Sequence, residues 1–414
     1  MDQSKWFEQE LLPKMASAGS FGASDFQVMS CTIASLKLGD DHFTSDTFFI
    51  NVKIKRPDET SENHDMLVKL TPNSKAFRDY MQTEIRFFNE TLLYTEVVPN
   101  IEKFVKTRGQ SISPDYDVFP KCYYANCTEE EGVVVLEDLR PHGFSVCEER
   151  VVLDYDHCLI LIEALGRFHA ISYAMKEITP SSFFPIMQKF KQFDMGEGDF
   201  FKITLSRVTT YLERTQELDM DTFNRFKERI KEPMKMYLSL LEPQEPLAVL
   251  CHGDFCRNNV FFKYDNDKKP IDVKFFDFQA AKYASPAIDL TFFIFMNTTS
   301  DFRNKHLNTM LTAYHRALLH SLVSILGRSE EELGAKYPFE LFQKEFRDYA
   351  YYGLMICSFF LPQMLIRPED QLSHEQMEGK TQEENALLCN SKGGDEATAV
   401  VADIVKDMAK IGSF

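Results

Sequence analysis

The sequence lacks a surplus of basic residues, and this absence bears on the partners of the protein. Lysine and arginine together number 46 against 63 for aspartate and glutamate, which gives a formal net charge of −17. Proteins that bind nucleic acids usually present basic surfaces to the phosphate backbone. We therefore expect no nucleic-acid partner, although an acidic average still permits a local basic pocket.

Cysteine is present, but without the spacing of a disulfide framework. The nine cysteines are odd in number and form no C-x-x-C pair, and a chain of 414 residues has no need of covalent staples. We expect reduced thiols rather than disulfides, and a cytoplasmic location. Residues 1–14 fit this expectation, because Lys5, Glu8 and Glu10 interrupt the apolar stretch that a secretory signal requires.

A long uninterrupted hydrophobic run is also missing. The stretch that comes nearest to membrane-spanning length is residues 349–366, and it contains Pro362 and Gln363. A transmembrane helix needs about 20 predominantly apolar residues. We predict a buried core helix at this position and no membrane span.

The hydrophobic pattern divides the chain into two parts. Apolar alternation predicts strands over residues 26–38, 47–55, 66–70 and 132–136, with a polar connection over 56–65 and a helix over 76–93. Helical patterns dominate afterwards, apart from short apolar strands within residues 247–278. The pattern predicts an α+β protein with a small strand-rich N-terminal lobe (residues 1–138) and a larger helical C-terminal lobe (residues 139–414).

The most specific motif begins at His252 and reads HGDFCRNN. It has the form H-G-D-x-x-x-x-N, and Asp277 follows it at the end of the apolar run VKFF. This set suits phosphoryl transfer from ATP: Asp254 would accept the proton of an acceptor hydroxyl, while Asn259 and Asp277 would hold Mg²⁺. The alternative is a polar turn between two strands.

A kinase also needs a lysine on a strand, paired with a glutamate on the following helix. Lys69 ends the predicted strand 66–70, and Glu84 lies on the predicted helix 76–93. We predict that this pair steers the α- and β-phosphates of the nucleotide. A solvated lysine at a strand end is the alternative.

Two further segments are candidates for nucleotide contacts. The segment from Leu136 to Leu139, with Glu137 and Leu139 as the contact residues, is predicted to form the hinge whose backbone meets adenine, although any apolar strand that leads into a loop has this pattern. Residues 19–24 (GSFGAS) contain two glycines without the G-x-G-x-x-G spacing. They either lay backbone N–H groups over the phosphates or form an ordinary turn.

The chain resembles the ecdysteroid kinase-like family of arthropods, which is related to choline and aminoglycoside kinases. Four stretches carry this resemblance: VVVLEDLRPHGF at 133–144, LGRFHAISY at 165–173, HGDFCRNNVFF at 252–262 and VKFFDFQAAKYASPAIDLTFFIF at 273–295. The resemblance implies a bilobal protein-kinase-like fold, ATP and Mg²⁺ as cofactors, and a small-molecule alcohol such as an ecdysteroid as substrate. It also implies that Asp289 braces the catalytic loop, although an aspartate there could simply begin a helix.

One position departs from the protein-kinase pattern. Protein kinases place a lysine two residues after the catalytic aspartate, whereas this chain has Cys256. This difference disfavours protein substrates and leaves the contact to the γ-phosphate unassigned. Arg257 is a candidate for that contact, and a surface charge is the alternative.

Three functions remain open at this point. The first is a kinase of a steroid or similar lipophilic alcohol, for which the 37 phenylalanines could line an apolar pocket. The second is a choline or ethanolamine kinase, whose cationic substrate calls for an aromatic cage best built with tryptophan. The only tryptophan, Trp6, is remote in sequence from the predicted acceptor region. The third is a non-catalytic nucleotide-binding protein, which the complete set of site residues disfavours.

Overall fold

The first third of the chain forms a five-stranded antiparallel sheet. In this computed structural model its strands are β1 Gln27–Ser35, β2 Asp46–Lys55, β3 Ser61–Leu70, β4 Cys122–Cys127 and β5 Gly132–Glu137, in the order β1-β2-β3-β5-β4. The structure describes residues 3–22, 25–35, 45–108, 117–128, 131–149, 151–194, 198–367, 370–372, 374–377 and 379–414. The last part of the predicted strand 26–38 therefore lies outside the described residues.

The sheet has two differently covered faces because side chains alternate along each strand. Val133 and Val135 of β5 join a small apolar cluster with Phe7 and Leu11 of the N-terminal helical segment. Val134, between them, faces the other way into the large core of the protein. The sheet is thus closed by helices on one side and joined to the rest of the molecule on the other.

Helices make up most of the remaining chain. Their bounds are α1 Gln3–Trp6, a π-helical turn Phe7–Leu11, α2 Leu12–Ser17, α3 Lys75–Met81, α4 Thr83–Leu92, a π-helical turn Leu93–Val97, α5 Val98–Thr107, α6 Tyr155–Ile178, α7 Pro180–Met187, α8 Phe200–Thr215, α9 Met220–Arg229, α10 Pro233–Leu241, α11 Ala287–Asn297, α12 Ser300–Leu326, α13 Glu330–Lys336, α14 Phe339–Leu365, α15 His374–Met377, α16 Gln382–Asn390 and α17 Gly394–Lys410. The long helix α6 packs along α12, and α11 packs along α14. The predicted core helix 349–366 is confirmed, because most of it lies in α14 inside the large core.

Two small sheets lie within the helical part and carry the loops of the candidate site. One consists of β6 Phe144–Ser145, β8 Val260–Tyr264 and β9 Pro270–Phe275, and the other of β7 Val249–Cys251 and β10 Lys282–Ala284. Short 3₁₀ turns follow at Arg257–Asn259 and Phe278–Ala280. Each predicted motif of the region 247–278 therefore lies in a loop that directly follows a short strand.

Two details of the predicted elements are wrong. The helix over 76–93 is broken at Gln82, which adopts a left-handed backbone conformation with φ 50° between α3 and α4. The polar connection over 56–65 is shorter than predicted, because β3 begins at Ser61. Its polar residues belong to the strand because they form cross-strand pairs, such as Asn51 with Asp65 at 2.7 Å.

The broad architecture follows the prediction. The α+β, bilobal arrangement with a strand-rich N-terminal part and a helical C-terminal part is confirmed, whereas a boundary between residues 138 and 139 stays a prediction. All nine cysteines are free thiols, as expected. Within the described residues, α6 alone is long and apolar enough to cross a membrane, and 78% of that stretch is buried inside the protein, as in an ordinary core helix.

Candidate active site

A buried lysine connects the large sheet to the helical part of the protein. Lys69, near the end of β3, is 5% exposed. Its ammonium donates hydrogen bonds to Oε2 of Glu90 at 2.6 Å and to Oδ1 of Asp277 at 2.8 Å. Burial alone would lower the pKa of Lys69, but the Asp277 and Glu90 carboxylates more than offset this effect and raise it. Lys69 therefore stays charged between two acidic groups.

The predicted pairing of Lys69 with Glu84 is wrong. The buried residues Thr83, Phe87 and Glu90 form one stripe of α4, and Glu84 lies off that stripe. Its side chain is 62% exposed and its carboxylate lies 3.7 Å from the Lys191 ammonium. The break at Gln82 sets the rotation of α4 about its axis. The glutamate that contacts Lys69 is therefore Glu90, about 1.7 turns after Glu84.

Glu90 is held in an unusually apolar environment for a carboxylate. It is 1% exposed, and one of its oxygens, Oε1, is buried without a hydrogen-bond partner. Burial raises the pKa of Glu90 to about 7, although the Lys69 ammonium acts in the opposite direction. The ionised form of Glu90 therefore depends on Lys69.

The loop after β7 carries the predicted catalytic residue. Gly253 has φ +80°, and a Cβ there would lie 2.0 Å from the Ala280 carbonyl oxygen, so only glycine fits. Asn259 donates from Nδ2 to the Asp254 backbone oxygen at 2.8 Å and to its Oδ2 at 3.1 Å. Asn259 thus fixes the Asp254 carboxylate. Burial and the nearby Asp277 charge raise the pKa of Asp254, which makes it a stronger base than an exposed aspartate.

Asp289, in the first turn of α11, braces this loop, as the resemblance implied. The side chain is fully buried and accepts hydrogen bonds from the backbone N–H groups of His252 at 2.7 Å and Gly253 at 2.8 Å. Nε2 of His169 on α6 lies 3.2 Å from the same carboxylate. His252 in turn lies with Nε2 3.0 Å from the Phe276 carbonyl oxygen. The catalytic loop and the strand end before Asp277 are therefore tied together.

Asp277 occupies a strained position directly after β9. Its backbone is left-handed, with φ 64° and ψ 55°, a conformation that costs about 1–3 kcal/mol for a residue other than glycine. Gln279 Nε2 lies 3.4 Å from its Oδ2. This conformation directs the carboxylate to the Lys69 ammonium, close enough to Asp254 for its charge to raise the pKa of that carboxyl.

The donor atoms near Asp277 suit a hard divalent cation. Asp277 supplies carboxylate oxygens and Asn259 an amide oxygen, which are ligands that Mg²⁺ prefers. The Lys69 ammonium already lies against one Asp277 oxygen, so this carboxylate faces a position where positive charge is stabilised. The residues present therefore fit a magnesium ion.

The structure places the predicted hinge beside the site. Leu139 is 3% exposed and packs in a small apolar cluster with Phe261 and Phe276, the second of which precedes Asp277. Glu137 is the last residue of β5, and its carboxylate lies 3.2 Å from the His142 ring. The contact of this segment with adenine stays a prediction.

The glycine-containing segment after α2 is an ordinary turn as far as it is described. Its N–H groups bond within the turn, from Ser20 to the Met15 carbonyl and from Gly22 to the Gly19 carbonyl. Arg56 donates a hydrogen bond to the Phe21 carbonyl and fixes the turn against the sheet. Ala23 and Ser24 lie outside the described residues.

Sequence reasoning missed two cations near the catalytic carboxylates. Arg86 on α4 lies with its guanidinium 4.4 Å from the centre of the Phe193 ring, and the charges of Asp254 and Asp277 act on it. Lys282 on β10 is 4% exposed, and Asp254 is among the charges that act on it. Both stand in stretches recognised in the sequence, but no local pattern shows that either faces Asp254.

Comparisons with solved structures find loose similarity to known proteins. The GDP and kanamycin complex of APH(2")-IIia is 13% identical, with a TM-score of 0.32 over 84% of this chain and 96% of that one. A putative fructosamine-3-kinase from Haemophilus somnus 129PT is 11% identical, with a TM-score of 0.33 over 92% and 95%.

Comparisons at the level of sequence are more decisive. No curated protein sequence matches the chain. The model of the ecdysteroid kinase-like family matches residues 39–327, which is well over half of the chain and includes Lys69, Asp254, Asn259 and Asp277. The chain therefore belongs to the ecdysteroid kinase-like family and is a small-molecule phosphotransferase.

Proposed function

We propose that this protein transfers the γ-phosphoryl group of ATP, with Mg²⁺, to a hydroxyl group of an ecdysteroid or similarly lipophilic alcohol. One observation carries the proposal: three separate segments of the chain bring Lys69, Asp254, Asn259 and Asp277 to one place. Phosphoryl transfer needs little covalent help from the protein, but it needs charge to be positioned and neutralised. A buried lysine, a fixed carboxylate and two oxygen donors supply these functions.

Asp254 is the proposed base for the acceptor hydroxyl. Its carboxylate is oriented by Asn259, and its raised pKa increases its tendency to take a proton. As the hydroxyl oxygen attacks the γ-phosphorus, its proton passes to Asp254 and the bond to the β–γ bridging oxygen breaks. The leaving electron pair stays on the nucleoside diphosphate.

Lys69, Asp277 and Asn259 are the proposed nucleotide side of the site. Lys69 would contact the α- and β-phosphates, and Asp277 and Asn259 would hold Mg²⁺, which neutralises phosphate charge when bound. Glu90 keeps the lysine oriented at 2.6 Å. Glu137 and Leu139 remain the proposed adenine-binding hinge.

The charges around Asp254 favour a neutral acceptor over choline. Arg86 and Lys282 both lie close enough to interact with Asp254 and with each other. A quaternary ammonium placed at Asp254 would be repelled by these two cations, whereas a neutral alcohol would not. Trp6, which a choline cage could use, packs instead against the apolar cluster of the N-terminal sheet.

Aromatic side chains pack in the core close to the same carboxylate. Tyr237 on α10 stacks on Tyr352 of α14, with ring centres 5.8 Å apart, and Tyr237 lies within reach of the Arg86 charge. Both rings are buried in the large core of the protein. The burial of a steroid's apolar face contributes about 25 cal/mol per Å² before the costs of association. Affinity for such an acceptor needs no charged contact.

The test is a turnover assay with labelled ATP and Mg²⁺ at two salt concentrations. Ecdysteroids, other dietary or plant alcohols, and choline are compared side by side. We expect turnover of a lipophilic alcohol that changes little with salt. Efficient choline phosphorylation that falls as salt rises, with no turnover of any ecdysteroid, would contradict the proposal, because contacts to a cationic substrate are screened by salt. Magnesium-dependent nucleotide binding without any turnover would instead favour a binding protein.

A further inference from the structure

We propose that Lys282 is a catalytic residue that contacts the transferring phosphoryl group, in place of the lysine that protein kinases carry in their catalytic loop. The inference rests on the proposed function and assigns a role that the motif residues leave unfilled. It depends on three observations: the position of Lys282, its lack of a partner, and the neutral side chain of Cys256 where protein kinases have a lysine.

Lys282 lies along the backbone of the catalytic loop. Strand β10 pairs with β7 so that Lys282 is opposite Cys251, the residue before His252. Its side-chain Cε lies 3.1 Å from the position that a Cβ of Gly253 would occupy. The aliphatic part of the Lys282 side chain thus passes along Gly253, and Lys282 as a whole is 4% exposed.

The ammonium of Lys282 lacks a direct partner. Across the described parts of the chain, its Nζ makes no hydrogen bond and has no carboxylate within ion-pair distance, whereas Lys69 and Lys274, which are buried to a similar degree, each have one. Asp289 lies near Lys282, but its oxygens already accept from His252, Gly253 and His169. An ammonium that is largely desolvated and has no counter-ion raises the free energy of the folded chain.

An unpaired cation beside Asp254 is therefore a site for an anion. Burial lowers the pKa of Lys282, and the neighbouring Cys251, Asp289 and Asp254 act against this effect. The phosphoryl group is the anion that must come within reach of Asp254 during the reaction. A lysine ammonium suits a phosphoryl group because it is a compact positive charge with three hydrogen-bond donors.

The catalytic loop has no cation at the position of the protein-kinase lysine. Cys256, at the position of the protein-kinase lysine, is 7% exposed, and burial together with the Asp254 charge raises the pKa of its thiol far above the ordinary range, so that it stays neutral. Arg257 is buried rather than a surface charge, and its guanidinium lies 3.5 Å from the Cys147 carbonyl oxygen. Lys282 fills the gap from the neighbouring strand.

Lys282 exchanges no proton in the proposed step. The acceptor oxygen forms its bond to the γ-phosphorus, its proton goes to Asp254, and the bond to the nucleoside diphosphate oxygen breaks. Negative charge spreads over the phosphoryl oxygens as this happens. Lys282 stays protonated and donates to one of these oxygens, so its contact strengthens in the transition state.

The experiment measures binding and needs no acceptor. ADP with Mg²⁺ is titrated calorimetrically into wild type, Lys282→Met, Lys282→Arg and Lys176→Met, with and without aluminium fluoride, a planar mimic of the transferring phosphoryl group. Lys176 is the matched control, because its ammonium lies 5.8 Å from the ring centre of Tyr283 in the same strand as Lys282, while Glu245 holds it at 2.8 Å. We expect aluminium fluoride to increase ADP affinity in wild type and Lys176→Met.

In Lys282→Met that increase should fall by roughly 10²-fold, while affinity for ADP alone changes by less than about 3-fold, and Lys282→Arg should recover part of it. An undiminished increase in Lys282→Met overturns the role of Lys282 alone. An equal loss in Lys176→Met also overturns it, because the effect would then be structural. No increase in wild type contradicts the proposed function itself. If Lys282→Met does not fold, Lys282→Gln, which keeps a polar tip, is measured in its place.

Discussion

The backbone N–H of Gly253 lies 2.8 Å from Oδ1 of Asp289, although 36 positions separate the two residues in the chain. The other oxygen of Asp289 accepts from the preceding N–H, that of His252, at 2.7 Å. A carboxylate that accepts from two consecutive N–H groups fixes the path of the backbone just before Asp254. The position of Asp254, the proposed base, is therefore set by a residue of α11.

Gly253→Ala should disrupt this path. The new methyl group would lie 2.0 Å from the Ala280 carbonyl oxygen and would hold an alanine at φ +80°. We expect a loss of at least about 2 kcal/mol in the free energy of unfolding, measured as a lower melting temperature, together with loss of turnover. Gly412→Ala is the control, because Gly412 has a similar φ of +76° but open space around it. Equal losses in both variants would show that the contact with Ala280 is unimportant.

The two glutamates of α4 should respond differently to loss of charge. Glu90→Gln removes a buried partner of Lys69, so we expect the dissociation constant for ATP to rise by about tenfold or more. Glu84→Gln changes an exposed side chain that pairs with Lys191 and should leave ATP affinity nearly unaltered. Calorimetric titration of both variants checks this expectation. A larger effect in Glu84→Gln would restore the original prediction from sequence.

Asp254→Asn should separate chemistry from nucleotide binding. The amide keeps the size of the side chain but cannot take the acceptor proton, so we expect kcat to fall by roughly 10²–10⁴-fold. ATP affinity should hardly change, because Lys69 and Asp277 remain in place. The measurement compares kcat with the dissociation constant for ATP. Near-normal turnover would remove Asp254 from the role of base.

Asp277→Ala should abolish the tightening of ATP binding by magnesium, because it removes a carboxylate from a hard cation. Thermal stabilisation by ATP with and without Mg²⁺ reports this loss. Asp267→Ala, which changes an exposed aspartate in the turn before β9, is the matched control and should behave as wild type. Magnesium-dependent stabilisation of wild-type size in Asp277→Ala would exclude Asp277 as a ligand.

The stability contributed by His157 should depend on pH. Contact with the Cys147 side chain and the Asp154 carboxylate raises the pKa of His157 from its ordinary 6.5 to about 9 despite burial. A raised pKa in the folded state means that the contribution is complete below pH 6.5 and is lost as pH rises through about 9. The melting temperature of His157→Gln should therefore fall furthest below wild type in acid. A difference that grows above pH 9 would contradict the assignment.

Features that depend on neighbouring residues could be predicted from the sequence. The spacing of Asp254 and Asn259 is local, because both lie in one loop that closes on itself through a hydrogen bond of 3.1 Å. Asp277 follows an apolar strand, and such strand ends are visible as the point where hydrophobic residues stop. The alternating strands and the large α+β division likewise follow from periodicity.

Features that depend on tertiary packing could not be predicted. The sequence pattern over 76–93 shows no break and therefore predicts Glu84 as the partner of Lys69. Glutamine seldom adopts a left-handed conformation, so nothing in the sequence indicates the break at Gln82. Lys282 meets the catalytic loop only because β10 pairs with β7, two strands of three residues each. Strands this short leave no periodic signal.

The ammonium of Lys69 lies 2.8 Å from Oδ1 of Asp277. This lysine is the counter-ion of Asp277, so its positive charge balances part of the negative charge of the Asp254 and Asp277 carboxylates. In the proposed reaction, a metal ion held by Asp277 would take over this role of counter-ion, and the Lys69 ammonium would become available to the phosphates.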